Sequence, residues 1–123
     1  MGIVVTGSLL YNALKAAQQL EADGIGASVL HMATIKPLDT EMLEKFAIEH
    51  DTLMTVEEHQ IAGGLGSAVA ETLATFDGRS PLLSLGLPDH YEYSGEYRDI
   101  LEKSGLVSKE IANSVLRRLA IDV

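Results

Sequence analysis

The stretch TVEEHQIAGGLGSAVAE, Thr55 to Glu71, decides how this chain is read. It opens as a strand, passes through Glu57, Glu58 and His59, and turns over Gly63, Gly64 and Gly66 into an apolar helix. That order sets polar groups at the carboxyl end of a buried strand. Open α/β sheets place their ligands in this position.

The same alternation extends outward in both directions. Ile3 to Thr6 is a short β-branched run that fits a buried parallel strand. Ser8 is in place to cap a helix from Leu9 to Ala22, with Leu10, Ala13, Leu14, Ala17 and Leu20 on one face and Gly24 as its left-handed stop. A second strand spans Ala27 to Met32. Pro37 then forbids helix, and Asp39 caps a helix running to about His50 with Met42, Leu43, Phe46 and Ala47 turned inward. Thr52 to Val56 is the third strand, Leu65 to about Phe76 a helix, and Leu82 to Leu87 a fourth strand. A polar, tyrosine-bearing loop follows Pro88. A short helix spans Glu96 to Lys103, and Ser108 caps a last helix with Ile111, Ala112, Val115, Leu116 and Leu119 on its buried stripe. Strands alternating with helices predict one α/β domain over residues 1–123, a three-layer α/β/α sandwich around a mostly parallel sheet.

The 123 residues suffice for one real core, and 46% of them are apolar. With only 5% aromatics that core is aliphatic. Absence of cysteine removes disulfides, zinc-thiolate sites and thiol nucleophiles, and agrees with a cytoplasmic setting. A net charge of -9 repels phosphate backbones, so nucleic acid is not an expected partner. No apolar run approaches the roughly 18 residues of a membrane span. The first strand begins almost at Met1, without a basic leader. Such a start suggests either that upstream residues have been removed or that the gene is split here.

Chemistry-bearing residues are few. The glycines at 63, 64 and 66 lack both the dinucleotide fingerprint and the P-loop spacing. They serve either a tight turn with close helix–sheet packing or an anion held on the helix amides up to Ser67. Strand alternation sends Glu57 and Glu58 to opposite faces, so they do not read as an acid–base pair. One of them with His59 faces a cleft, caps a helix or meets a neighbouring chain. His31, His59 and His90 fall near strand ends without ligand spacing, so no metal site is expected, and His50 ends a helix. No serine sits in a nucleophile elbow. Tyr91, Tyr93 and Tyr97 mark either a protein contact or a loop packed on its own domain. The candidate anion-binding or interface residues are therefore Glu57, His59, Gly63, Gly64, Gly66, Ser67 and His90; catalytic, cofactor-binding and metal residues are not expected.

Four segments carry a resemblance: VVTGSLLYNALKAA, HMATIKPLD, TVEEHQIAGGLGSAVAE and GLPDHYEYSGEYRDILEKSGL. In this order and spacing they resemble the C-terminal domain of the transketolase family, over almost the whole chain. The resemblance implies about five strands, one antiparallel, and a dimer. It also implies that thiamine diphosphate and Mg2+ are held by other, N-terminal domains or by a separate subunit. The glutamate that activates the cofactor lies in a preceding domain of that family, so neither Glu57 nor Glu58 takes its role. TIKPLD and Ser94-Gly95 look most like transketolase itself, including split forms. Pro88-Asp89 and the glycine segment also look like deoxyxylulose-phosphate synthase, and β subunits of 2-oxoacid dehydrogenases are a more distant fit. Tyr91 to Tyr93 depart from the Phe-Gly-Glu of transketolase. The implied function is the assembly part of a transferase in pentose phosphate metabolism, inactive as a lone chain. The rival from another class is a regulatory module binding an anion at Gly63 to Ser67.

Overall fold

The structure is a computed structural model that describes residues 1–78, 80–89 and 94–120. Four strands, β1 (Gly2–Val5), β2 (Ser28–His31), β3 (Leu53–Gln60) and β4 (Leu82–Leu87), lie in the order β2-β1-β3-β4. All three pairings are parallel. Among the described residues the sheet thus has four strands rather than about five, and the antiparallel one is not among them. Around it stand α1 (Leu10–Ala22), α2 (Thr40–Ile48), α3 (Leu65–Ala74), α4 (Tyr97–Lys103) and α5 (Ser108–Arg118). None of these helices is long and apolar enough to cross a membrane.

Side-chain alternation builds the three layers. Ile3, Val5, Met54 and Val56 pack with α1 and α5 on one face. Val4 and Leu53 pack with Leu43, Phe46, Leu65 and Val69 of α2 and α3 on the other. Ile3, Val4 and Val5 are wholly buried, as a central parallel strand covered on both faces must be.

The chain leaves β1 toward β2, then crosses back through α2 to β3 on the far side of β1. Strand order therefore reverses between β1 and β3, which makes the carboxyl ends of these two strands a topological switch point. β3 is also longer than its sequence suggested. It continues past Val56 because β4 runs on beside it, Gln60 meeting Leu87 after an irregularity in register. Glu57, Glu58 and His59 consequently lie on strand backbone, with strand alternation, and not in a loop.

Several local expectations change. Gly7–Leu9 forms a 3-10 turn, Leu9 takes the N-cap position of α1, and the Ser8 hydroxyl bonds elsewhere. Ser108 is the first residue of α5, and the N-cap position falls on Val107, which makes no side-chain capping bond. Leu14 and Met42, read as inward, are 46% and 45% exposed. α1 instead turns Ala13, Ala16, Ala17 and Leu20 inward, since small side chains let the helix approach the sheet and α5 closely. Asp39 does cap α2, its Oδ1 accepting from the Met42 amide at 3.0 Å. His50 follows α2, and its Nδ1 donates to the Phe46 carbonyl at 2.7 Å.

Candidate functional site

Alternation along β3 turns Glu57 toward α3, where the side chain is 1% exposed. Its Oε1 accepts from the Leu65 amide and its Oε2 from the Gly66 amide, both at 2.8 Å. A helix start leaves its first amides without internal partners, and its positive dipole end favours an anion. This chain supplies that anion itself. Glu57 is therefore the cap of α3, set eight residues before the amide it binds.

The glycines make this seat geometrically accessible. Gly63 has φ +82, a conformation that favours glycine. At Gly64 a Cβ would land on Glu57 Oε1, and at Gly66 it would come within 2.9 Å of Ser84 Oγ. Ser67 completes the turn. Its Oγ accepts from the Gly63 amide at 2.8 Å and donates to the Ile61 carbonyl at 3.3 Å. The motif closes upon its own carboxylate, and the Leu65 and Gly66 amides an external anion would need are engaged.

Glu58 emerges on the opposite face and is exposed. Its Oε2 accepts from Ser8 Oγ at 2.5 Å and from the Tyr97 hydroxyl at 2.6 Å. One carboxylate oxygen thus ties the turn after β1, the end of β3 and the start of α4. The bond to Glu58 holds the Tyr97 hydroxyl above its ordinary pKa. Ser8 works against that rise, while partial burial and the charge of Glu58 add to it. His59 lies on exposed strand and donates from Nδ1 to the Gln60 carbonyl at 2.8 Å, with Glu57 Oε1 3.8 Å away.

A cavity of about 330 Å3 opens at the switch point, lined by Thr6, Ser8, Ile35, Glu57, Glu58 and His59 among others. Of the residues read from sequence, Glu57, His59, Gly63 and Gly64 meet there. Gly66 and Ser67 line a separate hollow beside Ser84 and Asp89. His90, with Tyr91 and Tyr93, lies outside the described residues. His31 stands on the edge strand β2, with β1 between it and β3, and the described residues hold no group of three side chains placed to bind a metal. Sequence reading missed the Ser8–Glu58–Tyr97 link. Its parts are up to 89 residues apart, and no local pattern joins them.

The family model "Transketolase, C-terminal domain" matches residues 1–111. The chain is 42% identical over 122 residues to a 1-deoxy-D-xylulose-5-phosphate synthase of Aromatoleum aromaticum, covering 99% of this chain and 19% of that protein. It is 38% identical over 117 residues to a protein of Methanocaldococcus jannaschii named as a transketolase C-terminal section, covering 95% of this chain and 36% of the other. Among solved structures, a split-gene transketolase described as an inactive β4 tetramer superposes with a TM-score of 0.89 at 38% identity, over 99% of this chain and 40% of that one. The chain therefore spans between 19% and 40% of the length of these three proteins.

Proposed function

The chain belongs to the transketolase C-terminal domain family, and from that premise we propose that it is the assembly domain of a transketolase. The whole enzyme moves two-carbon ketol units between sugar phosphates in cytoplasmic pentose phosphate metabolism. Its thiamine diphosphate and Mg2+ are held by N-terminal domains or a companion subunit, and two copies of this chain meet as a homodimer. Thiamine diphosphate supplies the nucleophile and electron sink of that chemistry when bound.

The observation that carries this reading is Glu57 seated on the amides of α3. A diphosphate needs positive or N–H groups. At this switch point the Leu65 and Gly66 amides are engaged, and the buried carboxylate beside them repels a second anion. The residues here do not fit the cofactor. What they do is structural: Glu57 locks α3 onto β3, and Glu58 ties Ser8 to Tyr97. The same engagement weighs against a regulatory anion site at Gly63 to Ser67.

Titration calorimetry of the chain with thiamine diphosphate and Mg2+ should give no saturable heat, and the chain alone no ketol transfer. A tight, stoichiometric heat overturns the proposal. The 42% identity to a 1-deoxy-D-xylulose-5-phosphate synthase favours a second reading, in which the chain serves that synthase. Assaying the chain together with its cofactor-holding companion for both reactions separates the two.

A further inference from the structure

β4 meets β3 on one side and, among the described residues, no strand on the other. Such an edge is a template for pairing unless it is short, charged or broken by proline. β4 reads LLSLGL: six residues, without charge or proline. The opposite edge, β2, has four residues and ends in exposed Ser28 and His31, so it is the blunter of the two. Leu83, Leu85 and Leu87 recur at period two against the α1–α5 core yet remain half-exposed. Arg117 and Arg118 line a groove of about 350 Å3 with Leu83 and Leu85, toward the amino half of the strand. Exposed Asp89 follows its carboxyl end.

We infer that β4 pairs antiparallel with β4 of a second copy, centred on Leu85, and joins two four-stranded sheets into one. In that register Leu85 opposes its own counterpart, and Leu83 opposes Leu87 of the second copy on either side of the two-fold axis. The leucine row is self-complementary, as an isologous interface requires, and directly opposed apolar pairs are the stabilising unit of a sheet. Face and charge together select the orientation. Antiparallel pairing keeps both leucine rows on one face of the joined sheet and brings Arg117 and Arg118 toward the strand end that carries Asp89 of the second copy. Parallel pairing about a two-fold turns the second leucine row and its arginines to the opposite face. The inference rests on the homodimer proposed above and names the edge that forms it.

The chain contains no cysteine, so Leu85→Cys introduces a single thiol. Opposed antiparallel residues have Cβ atoms about 4.5–5.5 Å apart, close enough for a disulfide after small adjustment. Light scattering should find the wild-type chain dimeric. Mild oxidation should cross-link Leu85→Cys, while Val29→Cys on β2 stays monomeric on a denaturing gel. Leu85→Lys should be monomeric with an unchanged far-UV circular dichroism spectrum. A monomeric wild type overturns the homodimer and this inference together. A dimeric wild type with no Leu85→Cys cross-link, or one in which Val29→Cys cross-links instead, overturns the β4 edge alone.

Discussion

A carboxylate with 1% exposure costs several kcal/mol unless hydrogen bonds replace its water. Glu57 meets that condition with two charge-assisted bonds to the start of α3. Glu57→Ala strands both amides and should lower stability by about 2–4 kcal/mol in urea unfolding. Gly64→Ala should act on the same seat by displacing the carboxylate, and the two losses should not add, since they remove one interaction. Full additivity of the double variant would show that Gly64 does something else. Tyr97 sets a pH dependence on the other face. Its neutral hydroxyl donates to Glu58, and its pKa is raised above the ordinary value of 10.0. The stabilisation is therefore complete below the unfolded pKa and is lost as pH rises through the higher folded one. Tyrosinate absorbance of the wild type minus Tyr97→Phe should show one phenol ionising later than free tyrosine. Ionisation at the ordinary value would refute the bond.

Among the elements, local caps behave differently from distant ones. Asp39 and the amide it accepts from are three residues apart, so the α2 start was legible in the sequence. Asp39→Ala should cost about 1 kcal/mol and Asp39→Asn much less, read from denaturant midpoints. Equal losses would place the effect in charge rather than in the cap. Ser8 has the same local signature but gives its hydroxyl to Glu58, 50 residues away. α3 lacks a capping residue at Gly64 because its cap comes from the preceding strand. The inward face of α1 was legible only in part. A 3.6-residue period admits the stripe with Leu14 or the one with Ala16, and contact with the sheet and α5 chose the alanines.

For the molecule as a whole, the two buried strands and the two edges should differ in protection. Backbone amides of β1 and the first half of β3, covered on both faces, should exchange hydrogen most slowly, and those of α4, where Leu101 is the buried residue, among the fastest. If β4 pairs with a second copy, its amides should become slower as protein concentration rises while those of β2 do not. Concentration-independent exchange at β4 would argue against pairing there. The three-layer architecture itself was readable from alternating strands and helices, because each needs only short-range pattern and burial. Strand order, the extension of β3 and the switch-point cavity were not, since they follow from pairings between segments dozens of residues apart.

What the sequence by itself determined were the elements, their apolar material and the glycine turn, since hydrophobic period and backbone freedom are properties of neighbouring residues. Only the tertiary structure decided that Glu57 would fill the start of α3 and that Glu58 would bind Ser8 and Tyr97. Adjacent carboxylates on a strand are alike in sequence. They become different when the sheet presents one to a helix end and the other to solvent.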